Sequence, residues 1–284
     1  MCHRWGFYFV AKPDITGIGS QDFWDVLNHL DDAEGYRKAK QMKNSCGDLT
    51  PAAIEHIREV SKRRFAQLIL ARFVALQLFV EVAQNTPCGL QRKEHRQLWV
   101  LLQAYPGILG TEFDLDPFMT LTQRLGGATL KDLKSRISDS CKKLSILRER
   151  HLNPATNQFA VTPFYCVLDE AQITVSASSG RWGEFMANDN ETKRFILREI
   201  WLSWSDLLPS VHMRLVLSGT GIDHRALSDI LESSACKIYP YDIVRDIGAF
   251  DTPGAQAAYI ARYLPITDHD REFLTRAWVW LRGR

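Results

Sequence analysis

The stretch FYCVLDEAQ at residues 164–172 places five apolar residues directly before two acidic ones. Apolar runs without alternation are typical of parallel strands that are covered on both faces. Such a strand delivers the residues that follow it to the carboxyl edge of the sheet, where ligands bind in open α/β folds. The stretch therefore predicts a buried parallel strand with Asp169 and Glu170 at its ligand-binding end.

These two adjacent carboxylates predict a specific chemistry. They repel each other unless a positive charge lies beside them, and Mg²⁺ is a hard cation that takes one or two carboxylates and keeps several waters. We expect Asp169 to hold the metal through its water shell and Glu170 to act as a general base on a water that attacks a γ-phosphate. The alternative is structural, since acids at the start of a helix favour its dipole.

A second strand is predicted over Met213–Leu217, followed by Ser218-Gly219-Thr220. The hydroxyl of Ser218 or Thr220 could contact the attacking water or the γ-phosphate from the tip of this strand. The alternative is a simple strand-to-helix turn. The sequence SGTG is not a phosphate-binding loop, because no lysine follows it and Asp223 would oppose a phosphate.

The remaining pattern alternates strands and helices, which favours a parallel sheet with right-handed crossovers. Thr50-Pro51 is a good helix start, and apolar residues recur from there at three- and four-residue steps. Strands are predicted over 7–10 and 236–239, and helices over 21–30, 51–83, 95–105, 117–125, 130–149, 193–207, 226–232, 254–263 and 268–281.

Composition limits the function classes. The 284 residues are 45% hydrophobic and 24% charged, as in soluble globular proteins, and carry a formal charge of +2. No concentrated basic stripe indicates nucleic-acid binding, and six scattered cysteines without a CxxC pair argue against a zinc site. We expect an intracellular protein of cytoplasm or nucleus with no membrane partner, because no signal-peptide core or uninterrupted apolar run of ~20 residues occurs.

Several segments together resemble a known family. WGFYFVA, GIGSQDFW, FYCVLDEAQ, RLVLSGTGI, YIARYLP and WLRGR are similar to the NTPase domain of Crinkler and retrotransposon-hot-spot type proteins, within the additional-strand, catalytic-glutamate division of P-loop NTPases. The resemblance covers almost the whole chain and is most specific at residues 164–172 and 213–222. It implies ATP hydrolysis with Mg²⁺ and ATP as cofactors.

The resemblance also implies a role for individual residues. Asp169 corresponds to the metal-binding acid of the Walker B strand, Glu170 to the catalytic acid, and Ser218 or Thr220 to the polar residue of the sensor strand. Arg282 and Arg284 would reach the nucleotide from a C-terminal lid, although cations at a helix end are equally favourable without a ligand.

The fold that the resemblance implies is α/β, a three-layer parallel sheet of P-loop NTPase type. Residues 1–248 would form an incomplete core with a helical region at about 50–150, and residues 249–284 the start of a helical lid. No G-x-x-x-x-G-K-[ST] motif occurs, and the family places it before the strand at 7–10. The chain is therefore expected to be a fragment that lacks the P-loop strand and is impaired in nucleotide binding.

The implied strand order is 7–10, 164–168, 213–217, a gap, and 236–239. Because an unpaired apolar edge invites association, another polypeptide is expected to complete the sheet. Two functions stay open at this point. One is an ATPase-like enzyme, and the other is a non-catalytic, degenerate NTPase-like module that binds a partner. An in-frame P-loop motif encoded upstream would favour the enzyme.

Overall fold

The structure is a computed structural model of the chain. It describes residues 6–11, 18–30, 37–38, 41–46, 50–86, 93–109, 116–151, 164–176, 196–208, 213–219, 252–261, 267 and 270–281. The predicted strand at 236–239 and the predicted helix at 226–232 lie outside these residues.

Helices make up most of the described chain. The strands are β1 (Gly6–Val10), β2 (Phe164–Asp169) and β3 (Met213–Leu217). The helices are α1 (Gln21–His29), α2 (Pro51–Gln84), α3 (Lys93–Ala104), α4 (Pro117–Arg124), α5 (Leu130–His151), α6 (Gln172–Ser176), α7 (Ile196–Leu207), α8 (Pro253–Ile260) and α9 (Arg271–Leu281), with a 3₁₀ turn at Pro106–Leu109.

The three strands form a parallel sheet in the order β1-β2-β3. Phe7 lies opposite Cys166, which lies opposite Leu215. The α/β class, the parallel direction and the order of these three strands confirm the sequence prediction. The central strand β2 is buried on both faces along Cys166, Val167 and Leu168, as its unbroken apolar run predicted.

One face of this sheet forms the centre of the hydrophobic core. Phe7 and Phe9 of β1 are fully buried on it and pack edge-on or tilted against Phe73 of α2 (ring centroids 4.8 Å apart) and Trp204 of α7 (4.9 Å). Such aromatic pairs add stabilisation beyond their buried area. Cys166 lies on the same face, and burial raises the pKa of its thiol, so that the thiol packs as a small apolar group.

The outer edge of β1 is closed by side chains. Gln103 of α3 accepts a hydrogen bond from the backbone N–H of Tyr8 (3.1 Å) and donates to the carbonyl of Gly6 (3.3 Å), to which the Trp99 indole also donates (2.8 Å). The backbone N–H of Ser20, just before α1, donates to the carbonyl of Val10, and the Ser20 hydroxyl accepts a hydrogen bond from the backbone N–H of Val10. These bonds satisfy backbone groups that an edge strand would otherwise offer to another strand.

The long helix α2 begins where the sequence predicts. The Thr50 hydroxyl accepts a hydrogen bond from the backbone N–H of Ala53 (3.2 Å), with Pro51 at the first helical position. By length and composition alone this helix could cross a membrane, since an 18-residue window has a mean hydropathy of 1.7. The sequence alone predicted no membrane span, because no uninterrupted apolar run of ~20 residues occurs in it. Of the window, 61% is buried inside the fold, as in a core helix.

An ion pair lies inside the core between α1 and α2. The Arg72 guanidinium donates to both carboxylate oxygens of Asp22 (2.7 and 2.9 Å), and both side chains are fully buried. Arg72 also lies over the rings of Phe118 (3.7 Å) and Phe9 (4.6 Å). The charge of Arg72 is thus paired with a carboxylate and stacked on aromatic rings at the same time. A planar guanidinium suits this combination better than the ammonium group of a lysine.

The chain divides into two compact units, residues 1–237 and 238–284. The first contains the sheet and helices α1 to α7. In the second, the described helices α8 and α9 contact each other, and Thr252 caps α8 by accepting from the backbone N–H of Ala255 (3.1 Å).

Candidate functional site at the carboxyl edge of the sheet

The carboxylate of Asp169 lies at the end of the central strand and accepts three hydrogen bonds. The Ser218 hydroxyl, just beyond β3, donates to Oδ1 (2.6 Å), and the backbone N–H of Glu170 donates to the same oxygen (3.0 Å). The phenol of Tyr8, from β1, donates to Oδ2 (2.8 Å). Three donors directed at its two oxygens fix the carboxylate in position. The site is therefore an anchored carboxylate to which all three strands contribute.

The register of the sheet explains why Tyr8 reaches Asp169. Asp169 lies opposite Val10, so its side chain shares a face with Tyr8, two residues earlier on β1. Burial, then the hydrogen bond and the negative charge of Asp169, and finally the charge of Glu170 raise the pKa of the Tyr8 phenol. The phenol therefore keeps its proton and acts as a donor across the neutral pH range.

The backbone of Glu170 adopts a left-handed conformation with φ of 55°. For a residue other than glycine this costs about 1–2 kcal/mol. The surrounding bonds hold it in place. The backbone N–H of Ala171 donates to the carbonyl of Ser218 (2.9 Å), and the Gln172 amide donates to the Glu170 carboxylate. Such strain is typical of functional sites.

Gly219 allows the tip of β3 to approach this turn closely. A Cβ at residue 219 would collide with the Gln172 side-chain oxygen and lie 3.2 Å from the backbone nitrogen of Ala171. Glycine is the residue that leaves room for such an approach. The turn after β2 and the tip of β3 are thus packed directly against each other.

The left-handed conformation at residue 170 predicts that glycine is more stabilising than alanine at this position, the reverse of the usual order in helices and strands. Glu170→Gly should be more stable than Glu170→Ala by up to ~1.5 kcal/mol, because relief of ~1–2 kcal/mol of strain outweighs the ~0.5–1 kcal/mol entropic cost of glycine. Urea unfolding of the two variants measures this difference. The matched pair is Lys134→Gly and Lys134→Ala on the exposed side of α5, where glycine should be the less stable by ~1 kcal/mol. If glycine lowers the free energy of unfolding relative to alanine by the same amount at both sites, the backbone of residue 170 is not strained.

The structure brings together three of the predicted site residues, namely Asp169, Glu170 and Ser218. Thr220, Arg282 and Arg284, which were also predicted to serve the site, lie outside the described residues. Sequence reasoning missed Tyr8 and Gln172. The sequence does show a tyrosine on the predicted first strand and a glutamine in the DEAQ motif. Their positions in the sequence do not show that Tyr8 contacts Asp169 or that Gln172 contacts Glu170.

The donor set suits a hard cation. The carboxylate oxygens of Asp169 and Glu170 are ligands of the kind that Mg²⁺ prefers, and Mg²⁺ retains several waters. Among the described residues, no group of three or more His, Cys, Asp or Glu side chains forms a complete metal cage. A cation at Asp169 would keep much of its water shell.

No family model, curated protein or solved structure matches the chain.

Proposed function

We propose that the carboxyl edge of this sheet is a Walker B-type site of an ATPase-like P-loop NTPase. The observation that supports the proposal is the anchoring of Asp169 at the end of the central strand by hydroxyl groups from both neighbouring strands, with Glu170 next to it. The parallel sheet places this group at the edge where nucleotides bind in α/β proteins.

In this proposal the two acids have different tasks. Asp169, fixed by three donors, would hold Mg²⁺ through its water shell. Glu170, whose carboxylate accepts a hydrogen bond from the Gln172 amide, would take the proton of the attacking water. The cation, when bound, would neutralise charge on the phosphate oxygens. Gln172 would orient Glu170 for that proton transfer.

A second candidate is a non-catalytic NTPase-like module that binds a partner polypeptide. The observation that favours it is the absence of a G-x-x-x-x-G-K-[ST] motif from the 284 residues. The backbone N–H groups and lysine of such a loop provide most of the phosphate contacts. Without them, several charge-assisted bonds of ~1.5–3 kcal/mol each are lost, and the dissociation constant for ATP is expected to exceed ~1 mM.

Phosphate release from ATP at millimolar concentration distinguishes the two candidates. Glu170→Gln should lose Mg²⁺-dependent turnover and retain whatever ATP binding the parent shows, because an amide cannot act as a base. Asp169→Asn should raise the Mg²⁺ concentration that turnover requires. Asp139→Asn, an exposed acid on α5, is the control and should behave like the parent.

Two results would favour the non-catalytic module. One is a parent protein without Mg²⁺-dependent hydrolysis. The other is a Glu170→Gln variant that hydrolyses ATP at the parent rate, which would make the two acids structural.

A further inference from the structure

The hydrogen bonds at Asp169 leave little room for direct metal coordination. A carboxylate offers about four lone-pair positions, two on each oxygen. Ser218 and the backbone N–H of Glu170 occupy both positions on Oδ1, and Tyr8 occupies one on Oδ2. Among the bonds of the described residues, one position on Oδ2 is left for a cation or for one of its waters.

Resting on the proposed function, we infer that Ser218 is a specificity-determining residue that restricts Asp169 to contact through one oxygen, direct or by way of a metal-bound water, and so selects Mg²⁺ over Ca²⁺. Ca²⁺ binds six to eight oxygens and commonly takes both oxygens of a carboxylate, whereas Mg²⁺ is satisfied by one oxygen and its retained waters. Two-oxygen contact needs an open position on Oδ1 as well as on Oδ2. The Ser218 hydroxyl, 2.6 Å from Oδ1, blocks the first of these.

Tyr8 and Ser218 differ in this respect, although each donates one hydrogen bond to the same carboxylate. Loss of the Tyr8 hydroxyl opens a second position on Oδ2 but leaves both donors on Oδ1. Loss of the Ser218 hydroxyl opens Oδ1 while a position on Oδ2 is already open. Only the second change permits a cation to contact both oxygens.

The other donor to Oδ1 cannot easily leave. The backbone N–H of Glu170 is fixed by the turn after β2, where the backbone N–H of Ala171 donates to the carbonyl of Ser218 and that of Ile173 to the carbonyl of Glu170 (2.9 and 3.0 Å). The Ser218 backbone N–H in turn donates to the carbonyl of Leu168 (2.9 Å). Substitution of the Ser218 side chain therefore removes the hydroxyl without removing the backbone bonds that set the position of Asp169.

Metal competition on the whole chain tests the inference. Mn²⁺, which accepts the same oxygen ligands, is titrated by water-proton relaxation and then displaced with Mg²⁺ or Ca²⁺. In Ser218→Ala the preference for Ca²⁺ over Mg²⁺ should rise on the order of tenfold relative to the parent, because Ca²⁺ gains a ligand that Mg²⁺ does not need. Tyr8→Phe is the matched control and should keep the parent ratio. Ser218→Thr, which retains a hydroxyl, should do so too.

The outcomes separate this inference from the proposed function. An unchanged ratio in Ser218→Ala, or an equal rise in Tyr8→Phe, overturns the role of Ser218 and leaves the site itself intact. A parent that binds no Mn²⁺, or an Asp169→Asn variant that binds it as tightly as the parent, overturns the site. If Ser218→Ala loses its cooperative melting transition, Ser218→Cys replaces it. Its thiol is only a weak donor, and the ratio should shift in the same direction.

Discussion

Asp22→Asn is expected to lower the free energy of unfolding by about 3–5 kcal/mol, since it leaves the buried Arg72 guanidinium without the carboxylate to which it donates two hydrogen bonds. The pair is bidentate and fully buried, so water cannot replace the lost partner. The rings of Phe9 and Phe118 against Arg72 offer partial compensation by cation–π attraction. Urea denaturation at pH 7, followed by far-UV circular dichroism, measures the loss.

Two further variants distinguish a buried charge effect from a general effect of the substitution. Arg72→Met combined with Asp22→Leu should recover most of the loss, because an apolar pair of similar volume avoids the desolvation of both charges. Asp139→Asn breaks an exposed ion pair with Lys142 on α5 (3.5 Å) and should cost only ~0–1 kcal/mol. A single Asp22→Asn variant that is as stable as the Asp139→Asn control would refute the prediction.

Much of the fold could be predicted because its signals are local. Thr50-Pro51 places a capping hydroxyl directly before a proline, and α2 begins there as predicted. The helix predicted from residue 254 begins at Pro253, where Thr252 is the cap. The apolar run before Asp169 shows a strand covered on both faces without any knowledge of its neighbours. The order of the three described strands followed from the family resemblance rather than from any local pattern.

The parts of the site that could not be predicted depend on contacts between distant residues. Tyr8 and Asp169 are 161 positions apart, and their hydrogen bond exists only because parallel pairing brings both side chains to one face. The left-handed backbone of Glu170 has no sequence signal, since glutamate rarely adopts it. Arg72 lies in an apolar helix, and nothing in its own surroundings in the sequence identifies Asp22, 50 positions away, as its partner.

The buried pair has a third charged neighbour, whose ionisation should make the stability of the protein depend on pH. Asp116 caps α4 by accepting hydrogen bonds at Oδ1 from the backbone N–H groups of Phe118 (2.8 Å) and Met119 (3.3 Å). Its Oδ2 is buried and has no hydrogen-bond partner among the residues that the structure describes. Burial, and then the charge of Asp22, raise the pKa of Asp116 from 3.8 to about 6, against the opposing effects of Arg72 and of the two backbone bonds.

The sign of the pH effect follows from proton binding. Between about pH 4 and 6 the folded protein retains a proton on Asp116 that the unfolded chain has released, so this carboxyl's contribution to stability is complete below pH 3.8 and is lost as the pH rises through 6. At 1.36 kcal/mol per pKa unit, the loss amounts to roughly 3 kcal/mol. Other carboxylates titrate in the same range, so the effect must be isolated by comparison with a variant that lacks this one group.

Asp116→Asn is that variant, because asparagine retains the oxygen that caps α4 and has no charge to lose. Relative to the parent, its free energy of unfolding should rise by roughly 3 kcal/mol between pH 4 and pH 8. The new amide N–H₂ inherits the buried position of Oδ2, where a missing partner costs ~1–3 kcal/mol at every pH, so this cost displaces the whole difference curve and leaves its amplitude unchanged. Urea denaturation from pH 4 to 8 yields the difference curve, and Asp139→Asn should show a flat one. A flat curve for Asp116→Asn as well would mean that Asp116 ionises in the folded protein as it does in the unfolded chain.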